Sequence, residues 1–312
     1  MTKDKPVEFV YFGTSNHSVI LLEEIKRSQN LKLRLVVTKP DKPVGRKKEI
    51  LPSPVKKWCI ENNVPFITPA SLKKESKEVL EALNNHKTKV AVVADYGLMI
   101  PKELIEFYEL GIINIHFSLL PKYRGATPVA YSLLKGEKVT GVTYLLTTVE
   151  MDKGDIIRQI PFEISERETD ESLYRKLFVL AGQYLEYVLN NYSKGYSTLK
   201  KQQEDLATYC TPSGKLDRTT LLTKDDARIE FSKSPEEIER AVRAFYPWPV
   251  AWTTMGELIS YLKVSLRNLD DITLRVKIHE SHLEQGELIV DKLQPEGKRV
   301  MTFDEFKNGY LA

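Results

Sequence analysis

Four short apolar runs, set apart by stretches of helical character, restrict the folds open to the first half of this chain. They are Val7-Glu-Phe-Val-Tyr-Phe12, Leu31-Lys-Leu-Arg-Leu-Val-Val37, Lys89-Val-Ala-Val-Val-Ala94 and Gly111-Ile-Ile-Asn-Ile-His116. The first ends in Gly13-Thr-Ser15 ahead of a helix over about His17 to Arg27, and strand, small-residue turn and helix make the opening of a Rossmann-like unit. The turn is not Gly-x-Gly-x-x-Gly, so it does not indicate NAD binding. The run at 89–94 is apolar on both faces, as a central parallel strand must be. It delivers Asp95-Tyr-Gly97 to the carboxyl edge, where open α/β sheets place their ligands. The expectation is an α/β domain, a Rossmann-like and mostly parallel sheet over residues 1–189. A short strand at 64–67, helices near 72–84, 101–107 and 128–134, a strand pair at 139–149 and 155–162, and a closing helix over 172–189 complete it.

At 312 residues the chain has room for two domains. Residues 190–207 turn polar and read as a linker, leaving 208–312 as a second domain. There, Ser234-Pro-Glu-Glu237 carries a capping-box pattern with Pro at the first helical position. Ile238, Val242 and Phe245 would share one face of that helix. Strand-like runs at 258–264, 272–278, 287–293 and 300–303 suggest a small β-barrel, OB-like in plan. The 211–223 stretch has no role legible from its residues.

Composition excludes several classes. With 42% hydrophobic and 29% charged residues the chain is not disordered. It holds no run near the roughly 20 apolar residues that span a bilayer. Met1 to Pro6 lead into a strand without an apolar signal region. Cys59 and Cys210, far apart, form neither a disulfide framework nor a zinc site and suit a reducing cytosol. A cytoplasmic protein without a bound metal, acting as a monomer, is expected. The net charge of +3 is uninformative alone, but residues 38–57 hold seven basic side chains against Asp41 and Glu49. Residues 208–312, by contrast, hold 15 basic and 17 acidic residues. A basic face there would need segregation, using Arg240, Arg243, Lys263, Arg267, Lys298 and Arg299.

Strand side chains alternate with a period of two, so Asn114 and His116 point the same way. An amide and an imidazole side by side can donate two hydrogen bonds to one developing oxyanion. Asp152 sits in a polar turn, Val149-Glu-Met-Asp-Lys-Gly-Asp155, between two strand-like runs. A carboxylate against His116 would set its tautomer and make it a proton handler, although spacing does not show that the two meet. On residues alone, a lone His ending a buried strand is more often a hydrogen-bonded structural residue, and Asn a turn former.

The basic stretch carries Pro40, Pro43, Gly45 and Pro52, so neither helix nor strand is expected to persist through Thr38–Pro52. Ser53-Pro54 then opens a helix to about Asn62. The loop reads either as a solvated excursion or as an arm that tracks phosphates.

Four motifs in order, Asn114-Ile-His116, Ser118-Leu-Leu-Pro-Lys-Tyr-Arg-Gly125, Thr140-Gly-Val-Thr143 and Asp152-Lys-Gly-Asp155, resemble the signature of the folate-dependent formyltransferases. The resemblance implies Asn114, His116 and Asp152 as the catalytic trio. It implies 10-formyltetrahydrofolate as co-substrate, lying along Tyr96, Gly97, Ser118, Leu119, Leu120, Pro121 and the Asp152 loop. It would also support a cis bond before Pro121. Lys39-Pro-Asp-Lys-Pro-Val-Gly-Arg-Lys-Lys48 resembles the inserted loop of the methionyl-tRNA formyltransferases, which implies initiator tRNA as partner of Lys39, Lys42, Arg46, Lys47 and Lys48. Asp226-Ala-Arg-Ile-Glu230 and Arg243-Ala-Phe-Tyr-Pro-Trp-Pro249 resemble the C-terminal domain of the same group. Two other readings stay open: a formyltransferase acting on a nucleotide-linked amino sugar, for which a phosphate-tracking arm has no use, and an RNA-binding module on an inactive α/β domain.

Overall fold

A computed structural model describes residues 5–45 and 48–312. Arg46 and Lys47, expected to meet tRNA, lie outside the described residues. The chain forms two compact units that do not follow one another simply along the sequence. The first takes residues up to Gly125, then Thr140–Phe162 and Tyr174–Tyr209; the second takes Ala126–Val139, Glu163–Leu173 and Cys210–Ala312.

The first unit opens with β1 (Val7–Phe12), α1 (Asn16–Arg27) and β2 (Leu31–Val37). Ser15 caps α1 by accepting from the Ser18 amide, which satisfies one orphan donor of the first turn. The basic stretch is a correction to expectation: it contains β3 (Lys42–Val44) and β4 (Glu49–Leu51), paired antiparallel with Pro43 opposite Ile50. A two-stranded ribbon is all edge, so a residue lacking an N–H is tolerated there. After it come α2 (Pro54–Glu61), capped by Ser53 with Pro54 at its start, then β5 (Phe66–Ile67) and α3 (Ser76–Asn84). β6 (Val90–Val93), α4 (Lys102–Ile105) and β7 (Ile112–His116) follow. Along the chain come next α5 (Pro128–Leu134), which falls in the second unit, then β8 (Val139–Leu146), β9 (Ile156–Glu163) and the long α6 (Asp170–Ser193).

Seven strands form one sheet in the order β5-β2-β1-β6-β7-β8-β9. The pairs from β5 to β7 are all parallel, and β7–β8 is antiparallel. Every residue of β6 is buried, because a strand flanked by parallel neighbours is covered on both faces. Val10, Phe12, Leu35, Val37, Ala91, Val93 and Ile112 share one core cluster with residues of α3 and α4. The stretch expected as a linker is partly ordered by this unit: the Lys200 and Ile156 backbones bond reciprocally at 2.8 and 2.9 Å.

In the second unit the described strands β10 (Trp252–Thr254), β11 (Arg275–Glu284), β12 (Glu287–Pro295) and β13 (Met301–Thr302) form an antiparallel sheet in that order. α7 (Pro235–Ala244) starts with the expected capping box of Ser234 and Glu237, and buries Ile238 and Val242. The run at 258–264, expected as a strand, belongs to α8 (Met255–Leu262). Its local sequence explains the difference, since Thr254 and Glu257 form a second capping box and Lys263 in a left-handed conformation ends the helix. α9 (Phe303–Tyr310) likewise takes over where the 300–303 run was expected to continue as strand. No helix among the described residues is long and apolar enough to cross a membrane.

Candidate active site

The period-two argument holds at the end of β7, where Asn114 and His116 both turn towards Asp152. Phe117, next along, stacks on Phe178 at 4.2 Å between ring centroids and meets Tyr174 edge-on at 4.8 Å. That aromatic cluster fixes the chain directly after His116. Asp152 arrives on the loop between β8 and β9, in a left-handed conformation with φ 52°, which aspartate tolerates better than most residues. Two residues on, a Cβ at Gly154 would lie 1.6 Å from the Leu146 carbonyl oxygen. Only glycine allows the loop to close so tightly.

Asp152 is nearly buried, its side chain 11% exposed. Its Oδ1 accepts from Asn114 Nδ2 at 3.0 Å, and its Oδ2 accepts from the Gly125 amide at 2.8 Å. The same Oδ2 lies 3.6 Å from His116 Nδ1. On the other side of the ring, His116 Nε2 is 2.9 Å from the Tyr123 carbonyl oxygen. A carbonyl can only accept, so Nε2 carries a proton and Nδ1 is the nitrogen that faces the carboxylate. This refines the expected pair of oxyanion donors. Both His116 nitrogens already face protein groups, whereas Asn114 directs one amide hydrogen to Asp152 and retains a second.

The turn after β7 is pinned from the sheet. Thr143 Oγ1 donates to the Ser118 carbonyl at 2.6 Å and accepts from the Leu120 amide at 3.2 Å. Gln159 Nε2 donates to the Leu120 carbonyl at 2.9 Å and to Thr143 Oγ1 at 3.0 Å. Ser118 Oγ donates to the Lys122 carbonyl at 2.6 Å, and the Leu120–Pro121 bond is cis. Leu120 itself is buried with Leu145 and Ile156, so its side chain shapes the turn, while Leu119 is only half-buried. At the neighbouring sheet edge Tyr96 is buried, with its carbonyl accepting from Thr14 Oγ1 at 2.9 Å. Gly97 has φ 71°.

The residues expected to meet tRNA divide. Lys42 and Lys48 are exposed. Lys39 is half-buried, and a Cβ at Gly97 would lie 2.5 Å from its Nζ. Burial and the charge of Lys42 both hold the Lys39 amine below the usual lysine range, with Asp95 opposing them. Lys39 therefore joins the Asp95–Gly97 corner rather than the ribbon. In the second unit the basic face imagined from sequence is largely engaged at home. Arg243 is held by Glu239 and the Glu168 carbonyl, Arg240 by the Leu134 carbonyl, Arg267 by the Leu311 carbonyl and Arg299 by Glu305. No group of His, Cys, Asp and Glu among the described residues is arranged to hold a metal ion.

The family model described as formyl transferase matches residues 5–189, and that of the formyl transferase C-terminal domain matches residues 221–311. The chain belongs to the formyl transferase family. A relative in it, the methionyl-tRNA formyltransferase of Thermodesulfovibrio yellowstonii, is 33% identical over 96% of this chain and 95% of its own. Among solved structures, the methionyl-tRNA formyltransferase from Clostridium thermocellum matches with TM-score 0.58 and 15% identity, covering 93% of this chain and 98% of that one. The N-formyltransferase from Helicobacter canadensis, in complex with folinic acid and dTDP-3-aminofucose, matches with TM-score 0.61 and 19% identity over 95% of this chain and 98% of that one. At such identities the likeness to both structures is one of fold.

Several residues that build the site in this family member escaped sequence reasoning. The Tyr123 carbonyl and Gly125 amide are backbone groups within a recognised motif, yet their partners have no sequence signal. Gln159 lies on β9, and Gln202 lies in the stretch expected as linker, where nothing marks either as a partner of the site.

Proposed function

We propose that the protein transfers a formyl group from 10-formyltetrahydrofolate to the free amine of methionyl initiator tRNA. The observation that carries the chemistry is the convergence of Asn114, His116 and Asp152 at the carboxyl end of β7. The choice of acceptor rests on the 33% identical methionyl-tRNA formyltransferase relative, which aligns along nearly the whole chain. In this reading residues 1–189 are the catalytic domain. Residues 208–312, an OB-like barrel built on the antiparallel sheet, hold the tRNA.

The reaction joins the amine nitrogen to the formyl carbon and then breaks the bond from that carbon to the folate nitrogen. A negative charge develops on the formyl oxygen, the amine gives up a proton, and the leaving nitrogen takes one. The second amide hydrogen of Asn114 is the donor available to the oxyanion. His116, held as the Nε2–H tautomer by Tyr123, presents Nδ1 to Asp152, and this pair moves the proton. Tyr96, Gly97 and the 118–121 turn would line the folate. Their backbone is fixed by Thr14, Thr143 and Gln159, so binding meets a preformed surface. Lys42 and Lys48, with Arg46 and Lys47 of the same basic stretch of sequence, would follow tRNA phosphates, with Lys39 at the corner near the folate.

The test is formylation of methionyl initiator tRNA by the purified protein and by Arg46→Ala, each over a range of salt. The reading expects product from the wild type, and a raised KM for tRNA with a shallower salt dependence in the variant. An Arg46→Ala protein indistinguishable from wild type at every salt concentration would remove Arg46 from the account of tRNA binding.

A further inference from the structure

Asp152 holds an uncommon backbone conformation, with φ 52°, while its two oxygens meet three groups. The stabilisation comes from a chain of hydrogen bonds, anchored on the buried Arg124 side chain, that the trio does not include. Gln202 Nε2 donates to the Asp152 carbonyl at 2.7 Å and to the Gly154 carbonyl at 2.8 Å. One side-chain amide thus clamps the loop on both sides of Lys153. At its other end Gln202 Oε1 accepts from Arg124 Nε at 3.1 Å and Nη2 at 2.8 Å. The Arg124 side chain is fully buried, and Glu204 accepts from its Nη1 and Nη2 at 2.9 and 2.7 Å. The Tyr209 ring lies 5.9 Å from the guanidinium carbon.

The chemistry of this chain runs in one direction. A guanidinium has donors and no acceptor, so the end of Gln202 facing it must be the oxygen. The two amide hydrogens must then face the loop, where two carbonyls stand ready for them. We propose that Gln202 is a positioning residue for Asp152, with the Arg124–Glu204 pair fixing the orientation of its amide. Arg124 also belongs to the segment that carries the Tyr123 carbonyl and the Gly125 amide, the partners of His116 and Asp152. The same network therefore sets both sides of the His116–Asp152 contact from one buried point. A glutamine is required by this arrangement, because a carboxylate at 202 would set lone pairs against the Asp152 and Gly154 carbonyls.

The inference rests on the proposed formyl transfer for its kinetic consequence, and on geometry alone for its structural one. Its test uses the full-length protein with Gln202→Glu and Gln202→Met. The first keeps the shape and the contact to Arg124, and the second keeps the bulk and removes both ends. Three quantities are read: kcat and KM for formyl transfer, hydrogen exchange at the Gly125 amide, and the urea midpoint. The expected kcat falls by roughly 10- to 100-fold, the scale of a misplacement near 1 Å, with both KM values within about threefold. Gly125 exchange is expected to accelerate by about tenfold or more, while amides of β1 and β6 stay protected. Folded variants that keep wild-type kcat and wild-type Gly125 exchange would overturn the proposal. So would a loss of activity matched only by a lower urea midpoint, which is the mark of general destabilisation. A wild-type protein that formylates no methionyl-tRNA would defeat the proposed function, and Gly125 exchange would still decide the role of Gln202.

Discussion

Replacing Asp152 by asparagine separates shape from charge at the centre of the site. The change keeps volume and conformation, since asparagine also accepts a left-handed backbone. It exchanges one of two acceptor oxygens for a donor. In the native arrangement those oxygens face Asn114 Nδ2 at 3.0 Å and the Gly125 amide at 2.8 Å. Whichever way the new amide turns, one of these donors meets an N–H and loses its partner in a nearly buried place. A hydrogen bond to a charged group contributes about 1.5–3 kcal/mol, so a loss of about 2 kcal/mol in unfolding free energy is expected by urea titration. Turnover should fall further than stability. His116 Nδ1 loses the carboxylate 3.6 Å away, and positioned acid–base groups contribute roughly 100- to 10,000-fold. Single-turnover formyl transfer at saturating substrates should therefore slow by roughly 100-fold or more, with the variant still folded. A folded Asp152→Asn protein within about threefold of the wild-type rate would refute the proton-handling role.

Other expectations follow from single contacts. Asn114→Ala should lower kcat by roughly 100- to 1,000-fold, the range for one oxyanion donor, and normal turnover in a folded variant would sink that assignment. Gly154→Ala places a methyl 1.6 Å from the Leu146 carbonyl; circular dichroism should show a folded protein of lower melting temperature, and kinetics a lower kcat, because the Asp152 loop must shift. Glu257 accepts from the Thr254 amide in the capping box of α8, and this holds its carboxyl down to about 2 from an ordinary 4.5. A carboxyl lowered by folding contributes stability above its unfolded value that is lost as pH falls through the folded one. The wild type should thus exceed Glu257→Gln in stability at pH 7, and the gap should close between about pH 4.5 and 2; a gap constant over that window would contradict the cap.

Much of the fold is written in short-range pattern. The all-apolar run at β6 can only be a covered strand, and Ser15, Ser53 and Ser234 mark helix starts because each has an amide to accept from. Asn114 and His116 are paired by the period of a strand, which needs no knowledge of the rest of the chain. Asp152 required a resemblance, since a contact across 36 residues from His116 has no local signature. α8 was missed because Leu258, Ile259, Tyr261 and Leu262 suit a strand as well as a helix, and only the Thr254–Glu257 box decides between them. The ribbon of β3 and β4 was hidden by its prolines, which veto a central strand but not an isolated hairpin. Gln202 was invisible for a different reason, and Arg124, although inside the Ser118–Gly125 motif, gave no sign of its partners. Such a residue gains its meaning from the groups it meets, and the Asp152 carbonyl lies 50 residues from Gln202 and the Glu204 carboxylate 80 from Arg124.

The most direct test of the account is a single-turnover reaction with 10-formyltetrahydrofolate in which methionyl initiator tRNA and a nucleotide-linked amino sugar are offered together. The account predicts N-formylmethionyl-tRNA as the product, formed by the wild type and nearly lost in Asn114→Ala. Formylation of the sugar alone would contradict the acceptor while keeping the chemistry of Asn114, His116 and Asp152, and formylation of neither would contradict both.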